Sequence, residues 1–594
     1  VNSTVKAETW QLKRLKALVW FSELFKPSDL QRTLVWAGII GFLGALSSVW
    51  FREMAQHALK WFTGHSGGYV ASFEALVWWK RLLVPMLGGT FAGLTLYFGA
   101  RLKPGKSSTD YMEAIVLGDG VVSFRQSLVK CVSALWSIAS GASIGREGPL
   151  VQLSAMIASL LGRWRRKPTL QLRLFVACGA AAGIASAYNA PIAGALFVSE
   201  IVLRSVAMES FGPLVFSSVV ATLTIRQLFG GNPLYEIALP AARLNSNWEI
   251  PLYLLLGILA GTIAPLFLWS LRASEKLFAK IPGPTIGRLA IGGLALGTIA
   301  AFRPDVCGNG YSVVNQILQE KYVWNVLLVV LVLKVLATAV TFGSGAVGGV
   351  FTPTLFVGAG LGYLFAHAFQ AIWPGPALAP AAFTLVGMGA LLAATTHAPI
   401  MAIIMLFELT LDHQIILPLM LACVVAHYVS LAFNPKSIYA DSLQRKGAGE
   451  FQQKLGSLQV ADLMKEGAES VRTNATFSEI AQSFIQNRFS YLYVVDDRDI
   501  FKGAISLHDI KGYLNDPALA QLVIASDLLR ENFPTITPDI SLAAATSVFA
   551  RHDGDRLPVV GQNGTANRLI GSISKSDLIL AMAEQSKTEE TPHR

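Results

Sequence analysis

Eight stretches of this chain run free or nearly free of charge: Thr33–Phe51, Leu82–Ala100, Leu174–Ser199, Pro251–Leu271, Val323–Leu333, Phe351–Gln370, Pro376–Phe407 and Ile415–Phe433. Each is long enough to cross, or partly cross, a hydrocarbon core about 30 Å thick. No water is available there to bond backbone groups, so the runs are read as helices. Their lengths are uneven and several contain Gly and Pro. Broken helices of this sort place backbone at the membrane midplane, where it lines a cavity. Composition agrees: 53% of residues are apolar, only 14% are charged and the mean hydropathy is +0.49. A soluble chain would carry about 25% charge. The chain is therefore read as a polytopic all-α membrane body with a different tail.

Charge is divided unevenly. The last 150 residues hold 16 Lys and Arg against 19 Asp and Glu, leaving 32 against 19 on the body. Such a basic excess belongs mostly in cytoplasmic loops, and Arg163–Lys167 with Arg173 reads as one of them. It could also attract an anionic substrate. Lys13–Lys26 reads as a short amphipathic helix at the cytoplasmic face, without a secretory cleavage site. The four cysteines, Cys131, Cys178, Cys307 and Cys423, are solitary, which supports neither a zinc site nor a disulfide framework. His397, His413 and His427 lack metal-ligand spacing. With no metal cluster, haem histidine pair or nucleophile elbow in the body, an enzyme is not expected, and nothing points to a nucleic-acid partner.

The body repeats itself. Lys130, Ser140-Gly141-Ala142, Gly145 and Pro149 recur 204 residues later as Lys334, Ser344-Gly345-Ala346, Gly349 and Pro353. Ala190-Pro191-Ile192 and Glu200 recur 208 residues later as Ala398-Pro399-Ile400 and Glu408. Two weak copies suggest a two-half body with its site where the halves meet.

Both halves carry the same device. Gly145-Arg146-Glu147-Gly148-Pro149 ends one apolar segment and opens another, and proline suits a first helical turn because its missing N–H would be an orphan there. Glycine lets backbone N–H groups approach a ligand. The product is a helix N-terminus with free donors and a positive dipole end. Gly348-Gly349-Val350-Phe351-Thr352-Pro353 builds a second one. Two such termini can bind an anion weakly enough to release it. Glu147, a carboxylate at depth, is functional by default. It can occupy the anion position and leave when protonated, or it can simply cap its helix. Lys130 and Lys334 either snorkel and pair with carbonyls or serve a buried electrostatic role. Glu200 and Glu408 read as caps or pairing groups at helix ends.

After Tyr439 the texture changes. Residues 444–458 read as a linker, followed by a soluble duplication at 459–515 and 522–584 and a disordered tail at 585–594. Ala461–Met464, Tyr491–Val495 and Gly503–Asp509 recur as Ser526–Leu529, Leu557–Val560 and Gly571–Asp577. Short β-rich runs alternate with amphipathic helices, an α/β pattern. A unit of about 60 residues buries little core alone, so the two copies are expected to pair.

Residues 33–443 resemble the ClC family of chloride channels and exchangers. The resemblance rests on Gly145–Pro149, Gly345–Pro353, Gly387–Glu408 and Ser437-Ile438-Tyr439. Thr109–Ala114 and Cys178–Pro191 look most like its bacterial ClcB-type branch, and the tail resembles a CBS pair. The resemblance implies the ClC fold of two inverted repeat halves, preceded by a cytoplasmic segment over 1–32. It implies a homodimer with one pore per subunit, chloride as the transported ion and lipids as surroundings. The implied location is the bacterial inner membrane, with the N-terminus and the CBS pair cytoplasmic. Glu147 matches the gating glutamate. Ser107, Gly145, Arg146, Val350, Phe351 and Tyr439 match chloride-binding positions. Around Ser107 the family's flanking glycines and proline are replaced, which alters the inner end of the path. Exchangers of the family carry a proton-transfer glutamate one residue after the carboxylate matched by Glu200, and Ile201 stands there instead. A gated channel is thus expected, with a chloride/proton antiporter as the alternative. In the tail, Ser506, Asp509, Ser574 and Asp577 match positions that hold adenine nucleotide in some CBS pairs; a purely structural dimer module is the other reading.

Overall fold

The computed structural model describes residues 29–101, 108, 110–116, 118–204, 208–231, 234–235, 247–372, 377–411, 414–434, 437–439, 459–486, 491–510, 522–549, 556–563, 566–574 and 577. The chain divides into two compact units, Val1–Leu443 and Gln444–Arg594.

Among its described residues the first unit is predominantly helical. In chain order its principal helices are α1 (Asp29–Thr63), α2 (Trp78–Ala100), α3 (Phe124–Ala139), α4 (Glu147–Trp164), α5 (Thr169–Tyr188), α6 (Pro191–Leu196), α7 (Met208–Phe229), α8 (Ile250–Ala279), α9 (Thr285–Phe302), α10 (Tyr311–Leu318), α11 (Trp324–Gly343), α12 (Phe351–Gln370), α13 (Pro380–Thr396), α14 (Pro399–Thr410) and α15 (Ile416–Phe433). Among the described residues, eight helices are long and apolar enough to cross a membrane: α1, α2, α5, α7, α8, α9, α11 and α15.

Two of the apolar runs break at one shared signal. Asn189 and His397 both adopt left-handed backbone, at φ 57°. Ala190 and Ala398 follow outside the helical region, at φ/ψ of −125°/88° and −130°/75°, and Pro191 and Pro399 open new helices. A residue before proline is driven out of the helical region, and proline itself is tolerated in a first turn. The sequences Asn-Ala-Pro and His-Ala-Pro thus end one helix and start the next at equivalent places.

The interior is built from small side chains. In α13 every residue from Ala381 to Thr396 is buried, so this helix is surrounded by protein, as a helix apolar on all faces should be. Its neighbour α12 presses against it closely enough that a methyl on Gly358 would lie 2.5 Å from the Gly387 carbonyl oxygen. In lipid, where hydrophobic driving force between helices is lost, such close backbone approach is what holds helices together.

Equivalent residues of the two halves meet each other. The backbones of Gly145 and Gly349 exchange both hydrogen bonds, at 2.7 and 3.0 Å. The Glu408 carboxylate accepts from the Ile192 and Ala193 N–H groups at 3.0 and 2.8 Å. Glu200 does the same for Ile400 and Met401 at 3.2 and 2.7 Å. Each half thus caps the other's broken helix, where orphan N–H groups and the positive dipole end favour a carboxylate. A pseudo-two-fold relation is the arrangement under which such reciprocal pairs form.

Among its described residues the second unit has two three-stranded sheets. One orders β1 (Lys465–Glu466), β6 (Ala566–Ser574) and β5 (Arg556–Asn563); the other orders β2 (Ser470–Arg472), β3 (Tyr491–Val495) and β4 (Phe501–Ser506). Strand β1 belongs to the first copy in sequence yet pairs with β6 of the second, Lys465 opposite Ser572. The first copy lends an edge strand to the second copy's sheet, and both apolar clusters of the unit draw on residues of both copies. Equivalent turns open each copy: Asp462 accepts from the Gln459 N–H at 2.9 Å, and Asp527 from the Ile524 N–H at 3.0 Å.

Candidate functional site: a carboxylate between two helix N-termini

Helices α4 and α12 begin beside one another, drawn together by the Gly145–Gly349 bridge. Glu147 is the first residue of α4 and is only 4% exposed. Its carboxylate does not turn back onto its own helix alone. It reaches the start of α12, where the Thr352 N–H donates to Oε1 and the Thr352 hydroxyl to Oε2, both at 3.2 Å. A Cβ on Gly145 would lie 1.9 Å from Oε2, and one on Gly349 would lie 2.4 Å from Oε1. The glycines that the motif supplies are therefore the walls of the carboxylate's seat. A negative group there meets two positive helix ends at once.

Val350 caps α12 and Phe351 begins it. The Phe351 ring lies 5.1 Å from that of Tyr188, whose hydroxyl is 3.1 Å from the Thr352 hydroxyl. Tyr439 packs edge-on against Phe197 at 5.6 Å and lies within electrostatic reach of Glu147. The structure thus brings Gly145, Arg146, Glu147, Val350 and Phe351 into one place, with Tyr439 nearby. Ser107 lies outside the described residues. Thr352 and Tyr188 were not singled out by sequence. Thr352 sits inside the Gly348–Pro353 motif without a charge or turn signal of its own, and Tyr188 carries no local pattern.

The other buried charges have different tasks. Lys334 is fully buried and donates to the Val306 and Gly308 carbonyls at 2.9 and 2.8 Å. It thereby ties α11 to the turn before α10, and its task is the carbonyl pairing named as one reading of the sequence. Lys130, its counterpart, is only partly buried, so the shared position does not carry a shared environment. Ile201 is buried within a π-helical turn, Phe197–Val202, directly after the capping Glu200. His397 and His427 face each other at 5.5 Å between ring centroids, and His413 lies outside the described residues. Among the described residues no cluster of three or more metal-ligating side chains occurs.

In the second unit the four matched positions are engaged in the fold. Asp509 holds Arg530 through two hydrogen bonds at 2.6 and 2.7 Å. Asp577 accepts from the Ser574 hydroxyl at 2.6 Å, the Ser574 N–H at 3.1 Å and the Lys465 ammonium at 2.9 Å. Burial alone would raise the Asp577 carboxyl, yet the Ser574 hydrogen bonds and Lys465 outweigh it and hold the group below its ordinary range. The Ser574 hydroxyl in turn accepts from the Asp577 N–H at 3.0 Å, a reciprocal cap of the serine-to-acid kind. Ser506 is buried at the end of β4.

Comparison with known proteins places this architecture. Residues 88–431 match the family described as voltage gated chloride channel, and 460–516 and 525–584 match the CBS domain. The ClcB-like protein of Ralstonia nicotianae is 52% identical over 413 residues, covering 69% of this chain and 96% of that protein. The voltage-gated ClC-type chloride channel ClcB of Salmonella typhimurium is 40% identical over 412 residues, 69% of this chain and 98% of its own. Among solved structures, a slow cyanobacterial Cl-/H+ antiporter aligns with a TM-score of 0.63 at 27% identity, covering 70% of this chain and 98% of that one. A eukaryotic CLC transporter aligns at 0.60 over 92% of this chain and 98% of its own, at 17% identity, a likeness of fold alone.

Proposed function

Because the chain belongs to the voltage-gated chloride channel (ClC) family, we propose that it moves chloride passively across the membrane and that Glu147 is its protonatable gate. The family is one of channels and transporters rather than enzymes. The observation that carries the passive reading is Ile201, a buried hydrocarbon where exchangers of the family have a proton-transfer carboxylate. The neighbouring Glu200 does not take over, since both its oxygens cap α14. In this reading chloride passes between the N-termini of α4 and α12. Gly145, Arg146, Val350 and Phe351 flank it there, and the family resemblance adds Ser107 and the Tyr439 hydroxyl as donors.

An antiporter is the second reading, favoured by the likeness to the cyanobacterial protein, itself a slow Cl-/H+ antiporter. The two separate cleanly in proteoliposomes. A chloride gradient is expected to drive chloride flux without uphill proton movement; robust proton pumping by that gradient would establish the antiporter instead.

The functional unit in this proposal is a homodimer with one pore per subunit in the bacterial inner membrane, its N-terminus and CBS pair cytoplasmic. That orientation is the one the family resemblance implies. The CBS pair modulates transport, with adenine nucleotide as its candidate ligand. Every residue assigned to the anion path lies in the unit ending at Leu443. Truncation after that residue is therefore expected to leave chloride flux in purified, monodisperse protein while removing any nucleotide response. Loss of all flux from such a sample would assign part of the pathway to the tail.

A further inference from the structure

Beside the gate, a small cavity opens among α1, α4, α5 and α7. Its wall includes Ser48 and Arg52 of α1, Arg146 just ahead of α4, Ser186 of α5 and Phe229 of α7. Its volume of about 20 Å³ exceeds the roughly 10–15 Å³ that one water needs. Four polar atoms on this wall are buried without a hydrogen-bond partner: Ser48 Oγ, Arg52 Nε, Arg146 Nε and Ser186 Oγ. Buried polar groups are nearly always bonded, so four orphans around one space ask for an occupant.

The chemistry of the wall selects the sign of that occupant. Both guanidiniums are steadied by rings, Arg52 over Phe229 at 4.5 Å and Arg146 over Tyr311 at 5.8 Å. Neither forms an ion pair among the described residues. The nearby carboxylates are otherwise placed: Glu53 is within electrostatic reach of Arg52 without pairing to it, and Glu147 is turned toward Thr352. Both arginines are only partly buried, but their Nε–H groups are closed off from water and left without an acceptor, which is costly. An Nε–H can only donate, and a serine hydroxyl can rotate to donate. Four groups able to donate therefore line one space, and no carboxylate is among its lining residues.

We propose that this cavity is a binding site for a small monovalent anion of chloride size, held by Arg52, Arg146, Ser48 and Ser186. It lies to one side of the Glu147 seat, and its guanidiniums and hydroxyls are side-chain donors unlike the backbone termini of that seat. Arg146 borders both, so an anion here neutralises positive charge next to the gate and stands ready to enter. Only this last consequence rests on the chloride-transport reading; the binding chemistry stands apart from it.

The probe is bromide, soaked into crystals of the full-length protein and located by its anomalous scattering. A peak is expected between Arg52 and Arg146. Arg52→Gln and Ser48→Ala are expected to remove or weaken it, and Arg52→Lys, which keeps the charge but lacks the Nε–H, to give partial occupancy. In proteoliposomes, Arg52→Gln should raise the chloride concentration for half-maximal flux about tenfold, the loss of one charged hydrogen bond. Water alone in the wild-type cavity under bromide overturns the site, as does a bromide peak that survives Arg52→Gln undiminished. A bromide peak in a protein that moves no chloride would support the site and remove the transport reading.

Discussion

Glu147→Gln is expected to raise chloride flux at neutral pH and to flatten its dependence on pH. In the wild-type protein the carboxylate fills the space between the α4 and α12 termini, held by two hydrogen bonds from Thr352. Both are at 3.2 Å, the long end of the normal range for the N–H and beyond it for the hydroxyl, so geometry alone does not hold the group tightly. Charge supplies the rest: the anion meets two positive helix ends, and hydrogen bonds to an ionised acceptor are about twice as strong as neutral ones. The amide keeps the shape and loses the charge. Removing that charge shifts the opening equilibrium by about ten- to a hundredfold, from the helix-end and charged-hydrogen-bond contributions together. The sign follows directly: wild-type flux rises as pH falls, because protonation frees the seat, and the glutamine variant is already in that state. Glu147→Ala should go further, since nothing then reaches Thr352. Flux measured across a pH series in proteoliposomes decides the matter. A folded Glu147→Gln protein with wild-type pH dependence would mean that Glu147 is a helix cap and that gating lies elsewhere.

The parts of this site that sequence made legible are those written in backbone chemistry. Gly-Arg-Glu-Gly-Pro predicts a helix start because glycine permits the turn and proline fixes a φ suited to the first helical turn, and α4 begins there. The same holds for α12. What the sequence leaves dark are contacts between side chains far apart in the chain, such as Tyr188 with Thr352, 164 residues away. The arginine Nε–H groups without a hydrogen-bond partner beside the gate are equally invisible, because absence of a partner has no sequence pattern. Charge patterning misled in one respect. Lys130 and Lys334 occupy equivalent places, yet only Lys334 is fully buried, since burial depends on what the other elements cover. The paired positions identified the repeat but missed its most closely packed expression. Gly88, Gly89 and Gly93 in α2 stand 204 residues before Gly292, Gly293 and Gly297 in α9. Glycine repeats of this kind are so common in membrane helices that spacing alone did not separate signal from background.

That glycine pair carries the largest expected effect on folding. A methyl on Gly293 would lie 2.1 Å from the Pro85 carbonyl oxygen, and one on Gly89 would lie 2.3 Å from the Leu289 carbonyl oxygen. Pro85 and Leu289 are themselves 204 residues apart, so each half presents the same glycine to the same carbonyl of the other. Gly93 against Ile286 and Gly297 against Leu82 repeat the relation further along, at 2.6 and 2.3 Å. The obstacle in each case is backbone, which cannot rotate aside as a side chain would. Overpacking a core by a methylene usually costs about 1–3 kcal/mol, and here a helix axis must move to admit it. Gly293→Ala is therefore expected to destabilise the protein by at least that amount, and Gly89→Ala by a similar amount because the contact is mirrored. Gly293→Leu is expected to leave little folded protein. Gly68→Ala is the matched control, since a methyl there meets nothing within 4 Å and its φ of −67° suits any residue. Thermal unfolding and monodisperse yield in detergent report all four. If Gly293→Leu purified as well as Gly68→Ala with an unchanged melting temperature, α2 and α9 could not cross where these glycines place them, and the pseudo-two-fold packing of the halves would have to be redrawn.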